Sequence, residues 1–218
     1  MAVLQTGLAK SLAEDYTIDQ SLRFNDDDNG YLGFDVTSSG NRKTWTLSCW
    51  VKFMYTGTRQ SIIFFGDSGD DSVNITLETT GAFRVNLVQS AQSKIAATTS
   101  ALYRDPSSWY HFCVSWTSES SVLANRFPKV YVNGSEVTDF SETDNLTTED
   151  QEFRANQSGY PCHIGDPNPF SWPLNGYLAE FYWIDGTIYD ADDFGELDSD
   201  TNQWKPIDAV DDLTFGTN

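Results

Sequence analysis

Basic residues are scarce in this sequence. Lys and Arg together number 13 against 32 Asp and Glu, which leaves a net charge of −19. A surface this acidic repels the phosphates of nucleic acids and of anionic lipids, so these two classes of partner are excluded. The same charge favours solubility and attraction for divalent cations. We therefore expect neither nucleic-acid binding nor insertion into a membrane.

Cysteine is also scarce, and its three residues are far apart. Cys49, Cys113 and Cys162 form neither a Cys-x-x-Cys pair nor a Cys/His cluster, so the sequence supports no zinc site. We expect no disulfide framework and synthesis in a reducing compartment. Cys49 and Cys113 lie in strand-like apolar runs, where a free cysteine is usually a small buried residue. Their positions within those runs predict that the two thiols face opposite sides of their sheets.

Long apolar runs are absent as well. No stretch approaches the roughly 20 residues of a membrane-spanning helix, and residues 1–5 lack the basic and apolar regions of a secretory signal. Hydrophobic residues at 39% and aromatic residues at 14% are nevertheless enough for a buried core. The simplest organisation is an N-terminal arm over residues 1–20, which serves as a docking segment, followed by one domain over residues 21–218.

What the chain does contain is a series of short strands. Apolar and polar residues alternate with a period of two over residues 44–53, which predicts a strand with one apolar face. The same alternation recurs over 73–78 and 83–87, and 177–184 is apolar on both faces, as in an interior strand. With nine or more strands and no helical period, we predict an all-β fold in which two antiparallel sheets form a sandwich. Residues 138–160 are predicted to form a long loop.

The centre of this pattern is a long aromatic strand followed by a hairpin. Residues 109–116 form the strand-like run, and Asn133-Gly134 lies between alternating apolar residues. Asn-Gly in that setting predicts a type I′ turn, because both central residues of this turn need a positive φ.

Catalytic residues are difficult to assemble from this sequence. His111 lies in the middle of the aromatic strand and is predicted to be structural, while no triad motif surrounds Cys162 and His163. Sandwich glucanases need Glu-x-Asp-x-x-Glu on one strand, and the match that begins at Glu142-x-Asp144 lacks the final glutamate. We therefore expect no enzymatic activity.

One loop has the chemistry of carbohydrate recognition. Trp172 offers a surface for stacking on a sugar, and Asp166 and Asn168 offer groups that bind hydroxyls. The competing interpretation is that Phe170 and Trp172 simply cap the core. Asp166, Asn168 and Trp172 are the predicted carbohydrate-binding residues.

Aspartates in turns leave calcium binding open. Residues 25–30 imitate the start of an EF-hand loop, but Val36 stands where that loop needs a bidentate glutamate. Acidic turns are also common with no metal bound, so no cofactor is predicted. The residues that a different calcium site could use are Asp26, Asp28, Asp67, Asp70 and Asp71.

Several short segments, taken in order, resemble one family. They are SLRFN at 21–25, NRKTWT at 41–46, RDPSSWYH at 104–111, VYVNG at 130–134, NGYLAEF at 175–181, DG at 185–186, FGE at 194–196 and WKP at 204–206. Together they resemble the concanavalin A-like, laminin G-type domains of virion proteins of tailed phages. The resemblance implies a two-sheet jelly-roll sandwich. It also leads us to expect a further strand after residue 206. Residues 211–218 are long enough to form only a short part of that strand.

The same resemblance implies a function. A member of this group is expected to be a structural protein on the virion surface, either a decoration protein or a component of a fibre or appendage, made in the host cytoplasm. Its arm over residues 1–20 would attach to other virion proteins, and a homo-oligomer such as a trimer would be displayed. Binding of host-surface glycans is often tied to such domains. The alternative is a dedicated receptor-binding lectin of the tail.

Overall fold

The computed structural model describes residues 16–28, 30–144, 148–166 and 170–216. Within these ranges no helix is long and apolar enough to cross a membrane, and the regular elements are strands and three short 3-10 helices, Asp26–Asp28, Leu123–Arg126 and Ala191–Asp193. The all-β prediction is confirmed. The strands are β1 (Leu22–Phe24), β2 (Leu32–Asp35), β3 (Thr44–Phe53), β4 (Gln60–Phe65), β5 (Ser72–Leu77), β6 (Ala82–Gln89), β7 (Gln92–Leu102), β8 (Tyr110–Thr117), β9 (Lys129–Val132), β10 (Ser135–Glu136), β11 (Phe140–Asp144), β12 (Pro161–Ile164), β13 (Gly176–Asp185), β14 (Gly195–Leu197) and β15 (Trp204–Pro206).

The strands form two antiparallel sheets that pack face to face. The six-stranded sheet has the order β1-β13-β3-β8-β9-β10, and the seven-stranded sheet has the order β11-β7-β6-β5-β4-β12-β2. β14 and β15 pair separately as a small ribbon. This is the jelly-roll-like sandwich that the sequence predicted.

The main core lies between the two sheets, where alternate residues of each strand point inward. On β3 the inward residues are the apolar half of the alternation, from Trp45 to Phe53, and all of them are buried. Aromatic pairs join the layers: Phe83 of β6 stacks on Phe112 of β8 with ring centroids 4.2 Å apart. Phe65 of β4 lies 4.7 Å from the ring of Trp183 on β13.

A second, smaller core covers part of the outer face of the six-stranded sheet. Cys113 of β8 points into it, whereas Cys49 of β3 points into the main core, so the prediction that the two thiols face opposite sides is confirmed. Residues 207–216, the described part of the segment after β15, supply Ala209 and Leu213 to this second core and contain no strand, whereas the resemblance led us to expect one. The remaining buried members are Ile184, Ala191 and Phe194.

Two local predictions had different outcomes. The hairpin is confirmed, since Asn133 and Gly134 join β9 to β10 with φ values of 48° and 78°. The long loop predicted for residues 138–160 is wrong at its start, where β11 pairs with β7 and places Glu142 opposite Thr98. Polar side chains hide this strand in the sequence, because charged and polar residues are common on edge strands such as β11.

The last residues of the predicted arm lie on the sandwich itself. Residues 16–21 run across the outer face of the six-stranded sheet, where the Tyr16 hydroxyl donates to the Glu180 carboxylate at 2.9 Å. Glu180 sits in a β-bulge of β13 with a φ of 45°. We call residues 16–21 the strap; residues 1–15 of the arm lie outside the described ranges.

Candidate functional site

A groove opens on the outer face of the seven-stranded sheet where two irregularities meet at β7. The register of β7 shifts against β6 between Ala82 and Arg84, and against β11 between Phe140 and Glu142. Such bulges increase the local twist and bend a sheet, and they often lie beside functional sites. The resulting groove has a volume of about 450 Å³. We call it the bulge groove; its polar lining includes Glu78, Thr80, Arg84, Thr98, Ser100, Arg104, Ser141 and Glu142.

The floor of the bulge groove is a network of paired charges. The Glu142 carboxylate accepts a hydrogen bond from the Thr98 hydroxyl at 2.8 Å and one from the Arg84 guanidinium at 3.2 Å. Ser141 donates to the backbone carbonyl of Thr98 at 3.3 Å, which ties β11 to the bulged strand. Hydroxyl, guanidinium and carboxylate groups therefore share one surface and can donate to and accept from a polyhydroxylated ligand.

Two aromatic rings, Phe170 and Trp172, lie next to the groove, and Arg59 and Glu78 connect them to it. We call these two rings the aromatic wall. One carboxylate oxygen of Glu78 accepts two hydrogen bonds from Arg59, at 2.9 and 2.7 Å, and the other accepts from Thr76 at 2.8 Å. The Arg59 guanidinium lies over the Trp172 ring, 4.7 Å from its centroid. Phe170 stacks on Trp172 with centroids 4.9 Å apart and an interplanar angle of 18°. Stacking of a sugar face on Trp172 thus requires one of these two neighbours to move.

The predicted carbohydrate-binding residues occupy different places. Asp166 is buried, and its carboxylate accepts from the backbone N–H of Trp172 at 3.2 Å. Burial raises the pKa of Asp166. This carboxylate anchors the loop, while Trp172 faces Arg59 beside the groove. Asn168 lies outside the described residues, so a glycan site made from these three residues stays a prediction.

Apart from Glu142, which begins the incomplete glucanase motif, the sequence did not single out the residues that line the groove. The alternation over residues 73–78 and 83–87 is visible in the sequence. Thr76, Glu78 and Arg84 occupy polar positions of these two runs. What brings them beside Glu142 is the register of β6, β7 and β11, which shifts between Ala82 and Arg84 and between Phe140 and Glu142. A period of two specifies which residues share a face and leaves the register between strands open.

His111 is a structural residue, as predicted. Its Nδ1 accepts from the Trp204 indole N–H at 3.0 Å, and its Nε2 lies 2.9 Å from the Ser48 hydroxyl. Because the indole nitrogen can only donate, the proton of the neutral imidazole must lie on Nε2. Burial lowers the pKa of His111 to about 3.

The cysteines also have structural surroundings. Cys162 and His163 are consecutive residues of β12, so their side chains point to opposite faces; Cys162 is buried in the main core. That alternation prevents the two from acting as a catalytic pair. Burial raises the pKa of Cys49 to about 12 and raises that of Cys113 well above its ordinary value, so both remain thiols.

Three of the five turn aspartates considered for calcium, Asp26, Asp28 and Asp71, engage protein groups. Asp26 accepts from Asn175 at 2.6 Å, and Asp28 accepts from Asn25 at 2.8 Å. Asp71 accepts from the backbone of Ser90 and from Arg154. In the part of the chain that the structure describes, three or more His, Cys, Asp or Glu side chains do not converge as a metal site requires.

A second cleft lies on the opposite side of the sandwich. It has a volume of about 480 Å³ and lies between the strap and the aromatic residues Trp50 and Trp109, with Ala179 at its base. Its lining is more apolar than that of the bulge groove, where hydroxyl and charged side chains are more numerous. The bulge groove is therefore the better match to a polar, hydroxylated ligand.

Comparison with known protein families gives one match. The model of the Concanavalin A-like lectin/glucanases superfamily matches residues 25–192. No curated protein matches the chain significantly.

Solved structures share the fold at low sequence identity. The native heptameric SAP-like pentraxin of Limulus polyphemus is 16% identical, and the match covers 80% of this chain and 75% of the pentraxin with a TM-score of 0.51. Domains LG4-5 of the mouse laminin alpha1 chain are 12% identical over 84% of this chain and 46% of theirs, with a TM-score of 0.55. A mutant of the NanB sialidase of Streptococcus pneumoniae is 17% identical over 83% of this chain and 29% of its own, with a TM-score of 0.52. At these identities the matches show the fold alone.

Proposed function

Because this chain belongs to the Concanavalin A-like lectin/glucanases superfamily, we propose that it is a glycan-binding protein without enzymatic activity, and that the bulge groove and its aromatic wall hold the glycan. The observation that carries the proposal is the groove itself. It is an open concavity on a sheet face, and side-chain hydroxyls, carboxylates and guanidinium groups line it beside Trp172. Sites of this kind orient a ligand through a few polar groups beside aromatic surface.

The absence of enzymatic activity is part of the proposal. The two glutamates of the groove are held by arginines: Glu78 by Arg59 and Glu142 by Arg84. The carboxylates of a glycoside hydrolase must be available to act on the glycosidic bond, whereas these two are engaged in ion pairs with the protein. These contacts support a role in binding.

A glycan array followed by calorimetry with the best oligosaccharide tests the proposal. We expect binding by the intact chain and a loss of about tenfold in affinity for Trp172→Ala, because the aromatic wall is removed. Trp109→Ala, in the cleft on the opposite face, is the matched control and should bind normally. Absence of binding to every glycan, with and without calcium, would overturn the proposal, as would equal losses for the two variants.

We further propose that the protein is a structural component of a phage virion, displayed on the surface as a decoration or fibre-like protein. The support is the ordered set of segments, from SLRFN at 21–25 to WKP at 204–206, that resembles domains of tailed-phage virion proteins. In this setting other virion proteins would hold the N-terminal arm, and copies of the chain would assemble as a homo-oligomer such as a trimer. Host-surface glycans would be the ligands, and a dedicated tail lectin is the alternative placement.

A further inference from the structure

Arg104 is held in a fixed position at the rim of the bulge groove. Its Nε donates to the backbone carbonyl of Thr80 at 2.7 Å. Its aliphatic stem lies against Gly81, where a Cβ atom would come within 2.7 Å of the Arg104 Cγ. Gly81 has a φ of 87°, and its carbonyl accepts from the backbone N–H of Tyr103 at 2.7 Å, which fixes the turn next to the arginine. The turn therefore orients the guanidinium before any ligand arrives.

The two terminal nitrogens of Arg104 are available to a ligand. Among the described residues, no acceptor lies within hydrogen-bonding or ion-pair distance of them, and Arg104 is exposed. The neighbouring Asp105 forms no ion pair with Arg104, and its carboxylate accepts hydrogen bonds from Ser107 and Ser108 in its own turn. An arginine bound through Nε alone still presents the paired terminal donors that match a carboxylate.

This free cation is unusual in so acidic a chain. The sequence has seven arginines and 32 acidic residues. Five of the arginines form ion pairs with carboxylates: Arg42, Arg59, Arg84, Arg126 and Arg154. Arg23 and Arg104 form none with the described residues, and Arg23 lies over the Tyr177 ring away from the groove. Arg104 is thus the arginine that combines a groove position with an unneutralised charge.

The carboxylates that face the groove are already engaged. Glu78 is bonded to Arg59 and Thr76, and Glu142 is bonded to Arg84 and Thr98. Beyond the lining, Asp139 accepts from Ser100 at 2.9 Å. An anionic ligand therefore meets its favourable partner at Arg104, while the hydroxyls of Thr98, Ser100 and Ser141 lie along the same groove.

We propose that the bulge groove binds a sugar that carries a carboxylate, with that carboxylate paired to Arg104. The inference rests on the proposed glycan-binding function and names the chemical class of the ligand. A bidentate guanidinium–carboxylate pair is stronger and more directional than a bond between neutral groups. Because the turn already orders the arginine, little conformational entropy is lost when the pair forms.

Calorimetry with two matched pairs of probes tests the inference on the intact chain. Tetragalacturonate is compared with its methyl ester, and sialyllactose with lactose, so that uronic and sialic acids are distinguished. We expect at least one acid to bind about tenfold more tightly than its neutral counterpart. Arg104→Gln should abolish that difference, and Arg104→Lys should restore part of it. Arg23→Gln removes the same charge outside the groove and should leave the difference unchanged.

Each other result has a clear meaning. Equal binding of acid and neutral probes by the unaltered chain would overturn the carboxylate inference and leave the glycan-binding proposal standing. An equal loss for Arg23→Gln and Arg104→Gln would also overturn it, because the effect would then come from overall charge. No binding of any probe, with no hit on a glycan array, would overturn both.

Discussion

At the scale of single residues, His111 shows how a potentially catalytic side chain becomes structural. Its imidazole is fixed between a group that only donates, the Trp204 indole, and the Ser48 hydroxyl. A second proton on the ring would lie on Nδ1 and face the indole N–H. Desolvation and this unfavourable contact both disfavour the charged form, in agreement with the pKa of about 3 that burial produces.

This arrangement predicts a loss of stability in mild acid. The imidazole of the unfolded chain has a pKa of about 6.5, so the unfolded state takes up the proton first as the pH falls. The stability is fully present above that value and is lost as the pH falls toward about 3. Between pH 7.5 and 5 the loss from this residue should be about 2 kcal/mol. Urea unfolding of the intact chain and of His111→Gln at both pH values measures it.

The second histidine of the sequence provides the control for this measurement. His163→Gln should keep the pH-dependent loss, while His111→Gln should reduce it by about 2 kcal/mol. The same pH dependence in both variants would show that His111 does not control acid stability. Titrating groups other than the two histidines are common to all three proteins and cancel in the comparison.

At the scale of elements, the β9–β10 hairpin shows how one turn can fix a distant side chain. Asn133 and Gly134 form its tip, and Asn133 is tied to β8 by two hydrogen bonds with the His111 backbone. Gly134 lies directly against the six-membered ring of Trp204 on β15, so that a Cβ atom there would clash with it. The glycine thus permits both the turn and the approach of the indole that donates to His111.

Two glycine substitutions separate these roles. Gly159 has a φ of 82° and open space where a Cβ atom would be placed. Gly134 has a similar φ of 78°, but a Cβ atom there would clash with the Trp204 ring. Gly159→Ala should therefore cost roughly 1 kcal/mol of unfolding free energy, from the left-handed backbone alone. Gly134→Ala should cost a further 1–3 kcal/mol, on the order of an overpacked core. Urea unfolding measures both; equal costs would mean that Trp204 moves aside freely.

The elements also show what a sequence can specify. Strands β3 and β8 and the hairpin follow from alternation and from Asn-Gly, because burial of one face and a positive φ leave local signals. β7 escaped prediction because its middle reads Ile95-Ala96-Ala97-Thr98-Thr99, with little apolar contrast between its two faces. The bulge groove depends on how β7 is aligned with its two neighbours, and that alignment has no local signal. The fold was therefore predictable in outline, and the groove was not.

At the scale of the whole molecule, the two outer faces of the sandwich differ. The second core and the strap cover much of the outer face of the six-stranded sheet. The outer face of the seven-stranded sheet carries the open bulge groove. The strap begins at Tyr16 on the face opposite the groove. An N-terminal anchor on a particle would therefore leave the groove directed away from the attachment side.

If the chain has the proposed virion role, this geometry predicts that attachment and glycan binding can be separated. Deletion of residues 1–15 retains Tyr16 and its bond to Glu180, so the sandwich should fold and bind glycan normally. The same deletion should abolish incorporation into particles, measured by mass spectrometry of purified virions with each variant as the sole copy. Trp172→Ala is the reciprocal control: it should be incorporated normally and bind glycan about tenfold more weakly. If the chain that lacks residues 1–15 were incorporated into virions in the normal amount, attachment through the arm would be contradicted, because these residues would not be needed for it.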